Sequence, residues 1–451
     1  MTQHSTLREL GLFDARAPRY TSYPPANHFG VDVTPDTMAG WLATVPAGSS
    51  VSLYLHIPYC RRLCWFCACR TQGTSTDRPL RAYLDYLKAE MALVDQRLPK
   101  DVTLSHVHLG GGTPTLLPPD LLDELGEAIR DFRPMAKSHS VSVEIDPTEV
   151  DAPRIDALAR MGMTRASIGV QDFDTVVQDC IGRQQSFDQT RDVVDLIRAA
   201  GVGSLNMDIL YGLPHQTRAR MADTVQKVLS LAPDRIALYG YAHVPWMAKR
   251  QTLIPADALP NAEERMDLFD TARRLFTWDG FREVGIDHFA REGDSMADAD
   301  RSRTLRRNFQ GYTVDEAEVL IGLGASAISR FPQGYVQNHS TSSKYATAIT
   351  AGSLAAVRGH VMTPDDRLRA RMIEDIMCYF ELDLGKLEAA FGTPKAVLQN
   401  MVKPMLDRFA DAIAQNGDII RIVKTPRLIA RLVAQTLDTF DMPEGRHSRA
   451  L

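Results

Sequence analysis

Two periods of apolar and polar positions take turns along the chain. Six short apolar, β-branched runs, at residues 51–57, 104–109, 141–145, 165–170, 205–210 and 235–239, read as strands. Between them apolar residues recur every three or four positions, as in 121–132 and in 187–200, which stops at Gly201; these stretches read as helices. Six strand-to-helix repeats predict an α/β fold whose parallel strands curl into a partial (β/α)6 barrel, because each crossover lays its helix on the outside. Reactive side chains are then expected at the C-terminal ends of the strands. A strand-like piece at 281–289 extends the sheet in this reading.

Both ends depart from the repeat. Residues 1–49 read as a loop-like leader over the site, since Pro18, Pro24 and Pro25 crowd its middle. The barrel is expected over 50–290 and a connecting region that completes the site over 291–362. From 363 to 451 the pattern becomes that of an appended, mainly helical domain. There 365–382 and 394–416 read as amphipathic helices, 419–423 as a strand after the Gly417-Asp418 turn, and a last helix starts at Pro426. Covering the barrel mouth and a purely stabilising role are both open for this domain.

With 451 residues, 44% of them hydrophobic, the chain can bury a substantial core in two or three domains. A balance of 51 basic against 56 acidic residues, net −5, leaves no basic footprint for nucleic acid. The first residues lack the apolar core of a signal peptide, and no run approaches the roughly twenty apolar residues of a membrane span.

Candidate chemistry concentrates after the first strand. Cys60, Cys64, Cys67 and Cys69 stand in the run Tyr54-Leu-His-Ile-Pro-Tyr-Cys-Arg-Arg-Leu-Cys-Trp-Phe-Cys-Ala-Cys, whereas Cys180 and Cys378 stand apart. Thiolates separated by three and then two residues can wrap one face of an iron–sulfur cube and leave its fourth iron open to a cofactor. A structural zinc site wants a closed set with a second cysteine pair, and none follows. A disulfide framework is disfavoured, because thiols this close are strained partners and a chain this large needs no staples. Buried structural cysteines are seldom packed so densely between Arg61-Arg62 and Trp65-Phe66. Thiols kept free for a cluster require a reducing compartment, so a cytoplasmic location is expected.

Gly110-Gly-Gly-Thr-Pro-Thr115 follows the second strand. It can be a plain turn; beside the cysteine loop it also exposes backbone amides and carbonyls to a ligand. Glu144, Gln171 and Asp208 interrupt or end otherwise apolar strands. A polar side chain there is costly unless paired, so each is either a satisfied group of the barrel interior or a ligand at its mouth. Three such residues at equivalent strand ends favour ligands.

The cysteine spacing resembles that of radical S-adenosylmethionine enzymes, and further motifs narrow the likeness. Pro18-Arg-Tyr-Thr-Ser-Tyr-Pro24, the loop with its extra Cys69, Tyr211-Gly-Leu-Pro214, Arg307-Asn-Phe-Gln-Gly-Tyr-Thr313 and Gly324-Ala-Ser-Ala-Ile-Ser329 are similar to the oxygen-independent coproporphyrinogen III oxidases (coproporphyrinogen dehydrogenases). The likeness runs from about Pro18 to the last helix. One departure is Ala68, where the family usually has glycine.

This resemblance implies a [4Fe–4S] cluster on Cys60, Cys64 and Cys67 and two molecules of S-adenosylmethionine, one on the cluster and one beside it. It implies cofactor contacts at Tyr54, Phe66, Gly111, Gly112, Thr113, Glu144, Gln171, Arg183, Asp208, Ala242 and Ile328. The implied reaction is oxidative decarboxylation of two propionates of coproporphyrinogen III to vinyls, giving protoporphyrinogen IX in haem biosynthesis. A 5′-deoxyadenosyl radical takes the unactivated β-hydrogen that no side-chain base could remove. Cys69, matching a fourth cysteine that is not a ligand, joins Arg19 and Tyr20 of the leader as candidate catalytic groups. Arg19, Arg306 and Arg307 are candidates for the substrate's carboxylates. A flavodoxin- or ferredoxin-type reductant, an electron acceptor and a monomeric state are also implied. Two relatives with the same core stay open. One is a haem-binding chaperone, disfavoured by Cys69 and the leader; the other is a radical methyltransferase that opens the haem ring, which fold alone does not exclude.

Overall fold

The computed structural model describes residue 8 and residues 10–13 and 15–440. Residues 1–7, 9 and 14 of the expected leader and 441–451 of the expected C-terminal domain lie outside the described residues.

Six parallel strands form where the alternation predicts them: β1 (Ser50–Ile57), β2 (Thr103–Gly111), β3 (Met135–Ile145), β4 (Arg165–Gln171), β5 (Ser204–Tyr211) and β6 (Arg235–Gly240). Crossover helices such as Arg78–Asp95, Pro119–Phe132 and Arg218–Ser230 separate them. Six more strands follow: β7 (Arg282–Val284), β8 (His288–Ala290), β9 (Leu320–Leu323), β10 (Ile328–Phe331), β11 (Gly334–Asn338) and β12 (Ala356–Val361). All join one twelve-stranded sheet in the order β12-β11-β10-β9-β1-β2-β3-β4-β5-β6-β8-β7. The barrel is therefore partial, with β9 added in parallel beside β1 and the outer strands antiparallel.

Alternation along the strands decides what faces where. Val107 and Leu109 of β2, Val141 and Val143 of β3, Ala166 and Ile168 of β4, and Leu205, Met207 and Ile209 of β5 are buried in the main core. The residues between them, His106, His108, Ser142, Glu144, Arg165, Ser167, Asn206 and Asp208, line a cavity of about 210 Å³ inside the barrel. Successive strand residues point to opposite faces, so an apolar jacket and a polar lumen arise from one pattern.

The C-terminal domain packs helices Pro364–Tyr379, Leu384–Phe391, Lys395–Arg408 and Pro426–Gln435 with a three-stranded antiparallel sheet around its own core. Leu12, Phe13, Ala17, Tyr20 and Tyr23 of the leader belong to that core. Among the described residues no helix is long and apolar enough to cross a membrane.

Several expectations need correcting. The leader is not all loop: Pro35–Ala43 is a helix, capped by the Thr34 hydroxyl and burying Met38 and Leu42 one turn apart. The piece at 281–289 splits into β7 and β8, which turn at Gly285, φ +54°. The stretch at 394–416 leaves the helix after Arg408 and continues as strand Ile413–Asn416, paired with Ile419–Ile422. Helix Pro364–Tyr379 ends short of 382 because Phe380 turns left-handed, φ +57°, into strand Glu381–Asp383.

Glu90 ties the first crossover helix to the added strands. Its carboxyl accepts from the Gly324 N–H, the Asn338 Nδ2 and the Tyr345 hydroxyl, each at 2.7 Å. Burial raises its pKa from 4.5 to about 7. The folded carboxyl thus keeps its proton to a higher pH than the unfolded one, so stability declines as pH rises from about 4.5 to about 7. Glu90→Gln turns one acceptor into an NH2 facing donors and is expected to cost about 1–3 kcal/mol and to flatten this slope. Thermal unfolding followed against pH measures both; an unchanged midpoint contradicts the assignment.

Candidate active site at the strand ends

Beyond β1, Tyr59–Cys60 pairs in parallel with Gln72–Gly73, and this short ladder closes the cysteine loop. Thr74 N–H bonds to Cys60 O at 3.0 Å, and Trp65 N–H bonds to Ile181 O at 2.9 Å. The Trp65 ring covers Gly182 so closely that a Cβ there would meet it at 2.7 Å. All four loop cysteines are free; Cys64 is buried, Cys60 and Cys67 half-buried, and Cys69 exposed. A donor meets each of three sulfurs: Thr113 Oγ1 to Cys60 at 3.6 Å, Arg183 Nη1 to Cys64 at 3.6 Å, and the Cys69 N–H to Cys67 at 3.4 Å. Burial pushes the Cys60 thiol up to about 11 and raises that of Cys64 against the pull of Arg183. The Cys67 thiol is lowered, chiefly by the bond from Cys69.

The glycine motif lies against this loop. Gly112 N–H bonds to Ile57 O and Thr113 N–H to Tyr59 O, both at 2.8 Å. A Cβ on Gly112 would lie 2.5 Å from Tyr59 O, and Gly111 has φ +112° with the His56 ring where its Cβ would be. Glu144 accepts from the Gly111 N–H at 3.0 Å and meets His108 Nε2 at 3.2 Å. Burial opposes ionisation of Glu144, yet the His108 and Gly111 bonds outweigh it and hold the carboxyl below its ordinary range. Asp208 accepts from Asn206 Nδ2 at 2.9 Å and Ser167 Oγ at 3.2 Å, and burial raises it to about 6. The Tyr54 hydroxyl meets His56 Nδ1 at 3.0 Å, and its ring stacks on His108 with centroids 5.6 Å apart.

The other expected residues sort as follows. Gln171 ends β4 with φ +65°, a conformation that costs a non-glycine residue about 1 kcal/mol or more and marks a constrained position. Arg183 is anchored by Asp146 at 3.1 Å and Gly169 O at 2.8 Å, so it is a built part of the loop rather than a surface charge. Buried Gln251 donates to both Phe66 O and Ala242 O, at 2.8 and 3.1 Å, and joins those two positions. Ile328 opens β10 with its backbone against Gly322. Asp208 lies within β5 rather than at its end, level with Gly169.

The leader divides. Arg19 reaches Gly240 O at 2.9 Å at the end of β6, whereas the Tyr20 hydroxyl donates to Asp438 at 3.0 Å in the C-terminal domain. Arg306 is taken by Glu374 at 2.9 Å, and Arg307 is buried, donating to Arg19 O and Tyr20 O. Sequence reasoning passed over His56, His108, Asn206 and Gln251, although the first three break apolar strand runs as Glu144 does.

Among the described residues no three His, Cys, Asp or Glu side chains gather as the shell of a single metal ion. An iron–sulfur cube needs something else, one thiolate for each of three separate corners, and three free cysteines on one donor-lined loop fit that demand.

Residues 54–228 match the Radical SAM superfamily. An oxygen-independent coproporphyrinogen III oxidase of Cereibacter sphaeroides is 54% identical over 448 residues, covering 99% of this chain and 100% of that protein. The chain belongs to the oxygen-independent coproporphyrinogen III oxidase family. A family member from Pseudomonas aeruginosa is 37% identical, with 97% of both chains covered. Coproporphyrinogen III oxidase (HemN) from Escherichia coli, described as a radical SAM enzyme, has the same fold at a TM-score of 0.90 and 33% identity, covering 93% of this chain and 97% of that one. Membership among radical SAM oxidases implies a [4Fe–4S] cluster and S-adenosylmethionine.

Gly112→Ala puts a methyl group into the Tyr59 backbone and draws Thr113 away from Cys60. After anaerobic reconstitution the variant is expected to carry less iron per chain than the parent while its far-UV circular dichroism is unchanged. Full iron loading overturns this role for the glycine.

Proposed function

We propose that the chain is an oxidoreductase that decarboxylates two propionates of coproporphyrinogen III to vinyls without oxygen, giving protoporphyrinogen IX in haem biosynthesis. The observation that carries this reading is the unbroken match to the Cereibacter sphaeroides oxidase, which runs through leader, cysteine loop and C-terminal domain alike.

In this reading Cys60, Cys64 and Cys67 hold the [4Fe–4S] cluster. When bound, the cluster and S-adenosylmethionine supply the 5′-deoxyadenosyl radical that removes a propionate β-hydrogen. Glu144, kept ionised, accepts from amine or ribose hydroxyl donors of the cofactor, and Arg183 holds Cys64 while offering charge to a carboxylate. Thr113 and the Gly111–Gly112 backbone set the wall beside Cys60, and Tyr54, Phe66 and Ile328 give apolar surface for the adenine or thioether. Asp208, Gln171 and Ala242 complete the cofactor contacts. Two propionates require two cleaved cofactors, the ground for reading two bound molecules of S-adenosylmethionine. Arg19 lies at the mouth as a substrate contact. Tyr20 acts on the leader's position through Asp438, and Cys69 acts on Cys67 rather than as a ligand.

The leader (1–49) and the C-terminal domain (363–451) then cover the barrel (50–290), and 291–362 completes the site; the leader side chains in the C-terminal core support this division. A flavodoxin- or ferredoxin-type reductant, an electron acceptor, a monomeric state and a cytoplasmic location complete the proposal. Free cysteines suit the last of these.

The reconstituted protein, given coproporphyrinogen III, S-adenosylmethionine, a reductant and cell extract as acceptor, is expected to form protoporphyrinogen IX with about two 5′-deoxyadenosines per product. Haem bound without conversion overturns the reading in favour of a chaperone, and a methylated linear tetrapyrrole made from haem in favour of a methyltransferase.

A second expectation concerns pH. The Asp208 carboxyl takes up its proton near 6, losing acceptor capacity below that value. Affinity for S-adenosylmethionine is expected to weaken as pH falls through about 6, and Asp208→Asn to remove that inflection. Equilibrium binding between pH 5 and 8, roughly the range over which such a group changes charge, decides it.

A further inference from the structure

Beneath the cofactor candidates the lumen holds a cation that the proposed reaction does not use. Strand register arranges the interior in layers. Ser142, Arg165 and Ser204 are level with one another, Glu144, Ser167 and Asn206 form the next layer up, and Gly169 and Asp208 the one above. The half-buried Arg165 side chain makes no hydrogen bond and no ion pair among the described residues, and its Nε is buried without a partner. A guanidinium has five N–H donors and keeps its charge, so an interior position without an acceptor is costly. Burial and the nearby positive charge of Arg235 push its pKa down to about 9, against the weaker pull of the Asp294 and Asp208 carboxylates. Arg235 itself is paired with Asp294 at 2.6 Å and donates to Ser295 Oγ, although its Nη1 is buried without a partner.

A second orphan faces the same cavity. Asn206, 5% exposed, spends its Nδ2 on Ser167 and Asp208, at 2.8 and 2.9 Å, and leaves its Oδ1 with no donor. One wall of the lumen therefore lacks an acceptor and another lacks a donor. The nearby carboxylates are occupied: Glu144 by His108 and Gly111, Asp208 by Asn206 and Ser167, and Asp315 by His106 at 3.2 Å and by Ser52. His288, which also lines the cavity, is held by Asp287 at 2.7 Å. At about 210 Å³ the space is below the roughly 300 Å³ of drug-sized ligand sites and suits a small ion with water.

We infer that the barrel lumen is a binding site for a small carboxylate-class oxyanion bearing a hydroxyl, bicarbonate being the simplest, with Arg165 forking onto its two oxygens and Asn206 Oδ1 accepting from its O–H. A planar fork matches a carboxylate in a way that a rounder ammonium group does not. The choice of bicarbonate rests on the proposed decarboxylation, which releases carbon dioxide. The site itself needs only the two orphaned groups. A propionate arm of the tetrapyrrole offers the same carboxylate without the hydroxyl.

The test is binding of 13C-bicarbonate to the full reconstituted chain, followed by NMR line broadening at constant ionic strength and without turnover. Saturable binding that weakens about tenfold or more in Arg165→Gln, and less in Arg165→Lys, is expected, as for loss of a charge-assisted bond. The absence of saturable binding in the unaltered protein overturns the inference whatever the variants do. Equal binding in Arg165→Gln overturns it as well. Sodium propionate and coproporphyrin III serve as competitors. Displacement by coproporphyrin III, with Arg165→Gln also weakening its binding, assigns the same carboxylate site to a substrate arm; no displacement assigns it to the free anion. Protein that binds bicarbonate but makes no protoporphyrinogen IX keeps this site and defeats only the functional proposal.

Discussion

The strand register of the parallel sheet governs nearly everything else in the molecule. Because side chains alternate across each strand, a shift of one residue in β3, β4 or β5 would turn Glu144, Ser167 and Asp208 into the jacket of crossover helices and bring Val143, Ile168 and Ile209 into the lumen. The apolar set holds the polar set in place: burying the leucines, valines and isoleucines against the helices leaves the carboxylates and histidines one direction in which to point. The hydrogen bonds among them, His108 to Glu144 and Asn206 to Asp208, follow from the pairing of neighbouring strands.

The cysteine loop relies on a different constraint, close approach of backbone to backbone. Gly112 brings the end of β2 against Ile57 and Tyr59, and through that contact Thr113 reaches Cys60. Gly182 allows Trp65 to lie on the turn before Arg183, which reaches Cys64. Two glycines thus fix the loop from two sides, each followed by a residue that bonds a sulfur. Side chains of any size at either position would separate the sulfurs from the groups that meet them.

Much of this was legible in the residues because it rests on period and spacing. The six barrel strands have long apolar runs, and their predicted limits fall within two residues of the observed ends except in β3, whose exposed first half carries little apolar signal. Strands β9 to β12 escaped because each is short and Gly322, Gly324, Gly334 and Gly359 break their pattern, while their pairing with β1 and with one another is long-range. Helix Pro35–Ala43 was hidden by the prolines before it, although Thr34 and Pro35 form a recognisable start. In the site, cysteines and carboxylates stood out by residue type. Gln251 has no such signal, since only the fold brings it between Phe66 and Ala242. The Tyr20 contact has no such signal either, since nothing local indicates that its hydroxyl meets Asp438.

That last contact has a bearing on how the molecule comes into being. The leader is held by Arg431, Asp438 and Thr439, through Pro18 O and the hydroxyls of Tyr20 and Tyr23. Synthesis runs from residues 18–23 toward these partners, so these three bonds cannot close until the helix Pro426–Gln435 and the turn after it have been made. Closure of this stretch of the leader is therefore a late event in the making of the chain, although Arg19 and the helix Pro35–Ala43 find partners in the barrel and its sheet.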